Sequence, residues 1–238
     1  MKIWGYWATL GWGLQAFVAS QFLTLAIMLL LRISDLDTLV GTPFDGKIVT
    51  LFILIANPIM IAIIALAVVI ARTPIADYLA LVLPQRRYVG IGLGCLVVLI
   101  AASDAFLYFS GHPLVTPFQL ESYTTATASG WLVALWIGAV IFAPAGEEIL
   151  FRGFLFRGWA RSARLAWPAI IVISILWAAL HIQYDWTGIL QIFVVGLFLG
   201  WMRWVSGSTL LTFFLHALFN IEGTLETVVQ LHLTGSTI

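Results

Sequence analysis

The chain has 238 residues, 62% of them hydrophobic and only 9% charged, against roughly 25% charged in a soluble domain. So few charges cannot cover a soluble surface, and the bilayer has to act as the solvent. A formal net charge of zero offers no global field for nucleic acid or an acidic partner, and the one cysteine, Cys95, cannot form an internal disulfide.

The opening Met1-Lys2-Ile3-Trp4-Gly5-Tyr6-Trp7 has one basic residue, early aromatics and no small-residue cleavage site after the apolar run. It reads as an interfacial lead-in to a retained first span rather than as a signal peptide. Apolar segments of about 17–25 residues are read as spanning helices. They fall near 12–31, 49–71, 89–109, 131–156, 167–183, 187–205 and 208–230. The expected fold is all-α, a polytopic transmembrane bundle of about seven spans (six to eight), forming a single integral membrane domain over 1–238. Within the second span, Asn57-Pro58 predicts a kink, with the amide serving backbone groups that proline frees. The segment 72–87 is short, amphipathic and bounded by prolines, so it is expected along the inner interface or as an ordinary loop. The linker 110–130 has prolines, Ser and Thr and no positive charge, and Ser206-Gly207-Ser208 makes a tight turn between the last two spans.

Lys and Arg alternate with this count. With the N-terminus inside, the inner side holds Lys2, Arg72, Arg86, Arg87, Arg157, Arg161, Arg164 and Arg203, and the outer side only Arg32 and Lys47. That bias predicts a cytoplasmic N-terminus and an outer C-terminus.

Ionisable groups within spans are costly and mark function by default. Glu148 and Arg152 lie four apart on the fourth span and should pair. Glu147 is turned by about 100° from Glu148 and should face the bundle interior. Two neighbouring carboxylates in low dielectric do not share one proton affinity, and the one without a cation is the candidate general base. A structural salt bridge at a helix end would explain Glu148 and Arg152 but not Glu147. On the fifth span, Trp177 and His181 share a face, so the indole should pack on the imidazole; alone, such a histidine reads equally as an interfacial hydrogen-bonder. On the seventh, His216 and Asn220 share a face, and both can donate to an oxyanion or serve as polar links between helices. Asp104, Glu222 and Glu226 lie near outer helix ends and read as solvated.

Three motifs in this order, Glu147-Glu148-x-x-x-Arg152, Trp177-x-x-x-His181 and His216-x-x-x-Asn220, resemble the CAAX prenyl protease and bacteriocin-processing superfamily, whose founding members are the type II CAAX prenyl endopeptidases. Trp177 stands where that family has phenylalanine, a conservative change bearing on local packing. The resemblance spans about 110–225. It implies a glutamate-dependent intramembrane endopeptidase in which Glu147 activates water, His181 helps to position or deprotonate it, His216 and Asn220 hold the oxyanion, and Glu148 and Arg152 organise the site. The implied substrate is a lipidated or transmembrane peptide, with membrane lipid as the other partner and no nucleic acid. The charge pattern and the brevity of the chain point to a prokaryotic inner membrane.

No cofactor is expected. A zinc site from Glu147, His181 and His216 is the chemical alternative, although no His-Glu-x-x-His anchors one. The functional alternative is a non-catalytic member of the same superfamily acting in bacteriocin immunity or scaffolding. A proton-coupled transporter lacks support, since no inverted repeat is visible.

Overall fold

Each of the seven expected spans is a long helix in the computed structural model, which describes residues 2–34, 36–42 and 44–234. The elements run α1 (Tyr6–Leu30), α2 (Leu36–Gly41), α3 (Gly46–Ile70), α4 (Ile75–Tyr78), α5 (Arg86–Ser110), α6 (Pro117–Ala128), α7 (Leu132–Trp159), α8 (Ala163–Ala179), α9 (Trp186–Ser206) and α10 (Thr209–Leu233). Five of them, α1, α3, α5, α7 and α9, are long and apolar enough to cross a membrane; α8 is shorter, and α10 carries the carboxylates Glu222 and Glu226. At 1.5 Å per residue a 25-residue helix such as α3 is about 37 Å long, enough for a hydrocarbon core of ~30 Å. The protein is an all-helical membrane bundle.

Its surface and interior are inverted relative to a soluble fold. Phe22, Val97, Val98 and Val133 are all more than 60% exposed, as lipid-facing side chains should be. Several buried hydroxyls are satisfied within their own helices: Thr24 donates to Ser20 O, Thr50 to Gly46 O, Ser174 to Ile170 O and Thr227 to Gly223 O. That is how a polar group is carried in a medium without water.

Polar contacts gather the connections at two ends. At one end the lead-in is anchored: Trp4 Nε1 donates to Ala67 O at 2.9 Å, Thr73 Oγ1 to Lys2 O at 2.9 Å, and the Arg161 guanidinium to Trp4 O. The segment after α3 packs against the bundle on one side. Tyr78, Leu79 and Ala80 are buried, and Ser208 and Thr209 at the start of α10 donate to Val82 O and Leu79 O. The α9–α10 turn therefore grips this segment, and Gly207, at φ 68°, supplies the left-handed residue that the turn requires. At the other end, Thr125 Oγ1 accepts from Gly46 N, Ser122 Oγ donates to Phe44 O, and Phe118 packs edge-on against Phe44 and Tyr184.

Caps set the helix starts. Asp45 accepts from Ile48 N, Ser208 from Leu211 N, and Thr116 with Gln119 forms a reciprocal box ahead of α6. Asp185 starts α9, and the Gly188 N–H with the Thr187 hydroxyl holds its carboxyl below the usual carboxylate range.

The first and fifth spans depart most from expectation, the fifth starting at Ala163 rather than near 167. The first span begins at Tyr6 rather than near residue 12, so the early aromatics are helical. The fifth ends at Ala179 rather than near 183. Its last turn tightens, with Leu180 N donating to Trp177 O and His181 N to Ala178 O, the three-residue bonding common at helix ends. His181 therefore sits in the turn just past the helix.

Candidate active site

The carboxylates lie on α7, whose backbone is unusual. It is π-helical over Gly138–Phe142, α-helical over Ala143–Glu148 and π-helical again over Ile149–Leu155. Such widened turns occur mostly as short insertions at functional sites. In the first one, Ala143 N bonds to Gly138 O, five residues back. The next bond of that series would need an N–H from Pro144, which has none. Asn220 on α10 fills the gap, donating Nδ2 to Ala139 O at 2.8 Å. After the second widening, Phe156 N bonds to Phe151 O, and Arg152 O takes a side-chain donor, Arg203 Nε at 3.0 Å. Arg203, which the charge pattern places at the inner surface, is 5% exposed and lies over the Phe156 ring.

Glu148 and Arg152 pair as their spacing predicts. Arg152 Nη1 donates to Glu148 Oε1 at 2.8 Å, and both side chains are essentially inaccessible. Arg152 Nη2 reaches Gly196 O on α9 at 3.2 Å, and the guanidinium lies over the Trp177 ring at 4.5 Å. His216 completes the cluster: its Nδ1 is 3.0 Å from Glu148 Oε1. A carboxylate oxygen only accepts, so this contact requires hydrogen on Nδ1. Three helices are thus tied through one buried ion pair.

Glu147 points elsewhere. It is half-buried and makes no ion pair among the described residues. Its Oε2 accepts from Trp177 Nε1 at 2.5 Å. Trp177, 2% exposed, meets Glu147, Arg152 and both histidines, with the His181 and His216 rings edge-on to it at centroid distances of 5.3 and 5.2 Å. The tryptophan therefore does more than pack, because it places a donor on Glu147. His181 Nδ1 lies 2.8 Å from Trp177 O, a bond that again puts hydrogen on Nδ1 and leaves Nε2 as the outward nitrogen.

Glu147 and His181 line one cavity of about 200 Å³ between α1, α3, α7 and α8. Phe17 and Gln21 come from α1, Ile53, Asn57 and Met60 from α3, Leu150 and Phe151 from α7, and Gln183 from the turn after α8. A larger depression of about 470 Å³, between α6 and the end of α10, contains none of the motif residues. His216 and Asn220 do not line the cavity of Glu147; they lie on α10, joined to it through Trp177, Glu148 and Ala139.

Asn57 has a place that its kink motif did not suggest. Its Nδ2 bonds to Ile53 O at 3.0 Å, whereas the carbonyl freed by Pro58 is that of Leu54. Its Oδ1 lies against Gly146, where any Cβ would collide with it. Gly146 thus lets α3 approach α7 beside Glu147. Asp104, Glu222 and Glu226 also converge, half-buried between α5 and α10. Among the described residues theirs are the acid or histidine ligand atoms that come within 4.8 Å of one another in a set of three; those of Glu147, His181 and His216 do not form such a set.

Fold and site together define a helical membrane protein with a paired and an unpaired glutamate side by side within its bundle. Residues 129–221, which include all three motifs, match the family model described as type II CAAX prenyl endopeptidase Rce1-like. This bears out the resemblance to the CAAX prenyl protease superfamily that the three motifs carry. No curated protein and no solved structure matches the chain.

Proposed function

We propose that the protein is an intramembrane endopeptidase that hydrolyses a peptide bond of a lipidated or transmembrane peptide with water activated by Glu147. One observation carries the reading: Glu147, with no cation bound to it, shares a half-buried cavity with His181 while its neighbour Glu148 is locked in a buried ion pair. A base needs an oxygen that is not already neutralised. Glu147 Oε2 is occupied by Trp177, so Oε1 is the oxygen that takes a proton from water.

The outward Nε2 of His181 holds that water from the other side. Hydroxide attacks the carbonyl carbon, a tetrahedral oxyanion forms, and the proton held on Glu147 passes to the leaving amine. In this reading His216 and Asn220 supply the oxyanion donors from α10, beside rather than within the cavity of Glu147. Glu148 and Arg152 hold His216 and the α7 backbone in register. The reaction needs no metal. The apolar lining from α1 and α3 suits a peptide arriving laterally from lipid. In this reading the N-terminus is cytoplasmic and the C-terminus outside, in a prokaryotic inner membrane, an orientation that the Lys and Arg asymmetry supports.

Membranes containing the overexpressed protein, incubated in H2(18)O with hydroxylamine, test this chemistry. Direct attack by water gives new peptide C-termini bearing one (18)O and no hydroxamate. Hydroxamates at those termini would reveal an acyl-enzyme and overturn the mechanism.

A further inference from the structure

We infer that Trp177 is the positioning residue for both groups that handle the water, holding the proposed base through its indole N–H and the proposed water-binding histidine through its main-chain carbonyl. The inference rests on the reading of Glu147 and His181 given above. Trp177 Nε1 donates to Glu147 Oε2 at 2.5 Å, and Trp177 O accepts from His181 Nδ1 at 2.8 Å. One residue thereby selects which oxygen of Glu147 remains basic and which nitrogen of His181 faces the cavity.

The indole is itself tightly placed. Arg152 covers its face at 4.5 Å, and at Gly196 on α9 a Cβ would come within 3.1 Å of Trp177 Cε3. Neighbours that leave so little room for another rotamer are what positioning to within about 0.5 Å demands. A cation over the ring also draws charge from it and makes the N–H a stronger donor. The indole N–H is therefore aimed at a carboxylate from a fixed platform, at a site where a packing residue would need no donor.

The test removes the donor while keeping the shape. Trp177→Phe removes the N–H but leaves an aromatic ring and the carbonyl that orients His181. Replacing Trp177 with β-(3-benzothienyl)alanine substitutes sulfur for N–H in a bicycle of nearly the same size. Purified variants would be assayed in proteoliposomes on a quenched-fluorophore peptide spanning the bond that the wild type cuts in membranes. Loss of one hydrogen bond to a charged group should lower kcat roughly ten- to hundredfold, with KM within about twofold and the benzothienyl variant folded. The indole resonance that disappears in Trp177→Phe should also move upfield in the ¹H–¹⁵N spectrum of Glu147→Ala.

A benzothienyl variant with wild-type kcat would overturn the inference even if Trp177→Phe failed to fold. So would an indole resonance that ignores Glu147. If Glu147→Ala cleaved as fast as wild type, the reading of the site itself would fall. That result is distinct from a silent Trp177 beside an essential Glu147.

Discussion

Replacing Arg152 by alanine should destabilise the fold more than any other single change at the site. The side chain is 1% exposed and its partner Glu148 0%, so removing the guanidinium strands a carboxylate in the interior. It also removes the bond to Gly196 O and the cover over Trp177. Breaking a buried pair from one side costs about 3–5 kcal/mol, which for a chain of this size lowers the melting temperature by about 6–20 °C. The assay is thermal unfolding in detergent micelles, followed by near-ultraviolet circular dichroism. The companion is the double variant Glu148→Gln/Arg152→Met, which removes both charges, roughly keeps their volume, and leaves a Gln oxygen to accept from His216. It should recover all but about 1–2 kcal/mol, the worth of the lost bond to Gly196 O and the contact with Trp177. If Arg152→Ala melts with wild type, or the double variant melts as low as the single one, the pair does not hold α7, α9 and α10 together as described.

Two further outcomes separate stability from chemistry. Gly158→Ala should cost about 1–3 kcal/mol through overpacking, because a Cβ there comes to 2.5 Å from Thr9 Cγ2 and 2.7 Å from Thr9 Cβ; Thr9→Gly in the same chain should restore the melting temperature, with turnover per folded molecule unaffected throughout. Cleavage should survive exhaustive chelation, and a loss restored by added zinc would transfer the water from Glu147 to a metal.

Much of the bundle was legible because the bilayer imposes length and composition on any helix crossing it. The seven spans, the tight turn at Gly207 and the Glu148–Arg152 pair follow from apolar runs and from spacing of four. What escaped were features created by departures from ideal helix geometry or by contacts between distant segments. The π-helical stretches of α7 have no composition of their own. Once they form, though, Pro144 leaves Ala139 O open to Asn220, and Arg152 O becomes open to Arg203. His181 reads as helical because the apolar run continues past Ala179, yet the backbone tightens there and puts the ring in a turn. Trp177 looked like packing because a single residue type does not say whether its N–H is used. Asn57 reads as the partner of the proline after it, although the Gly146 that lets it lie beside Glu147 is 89 positions away in the chain. Asp104, Glu222 and Glu226 looked solvated one by one, and only the pairing of α5 with α10 brings them together.

The central claim is that Glu147 cuts peptide bonds, and the most direct measurement compares new peptide N-termini in membranes of cells expressing wild type or Glu147→Ala at matched levels. The account predicts a set of termini present with wild type and absent with the variant, which remains folded and membrane-inserted. Identical termini from both, with both proteins restoring the same phenotype to a knockout, would contradict it and assign the intact motifs to binding or immunity instead.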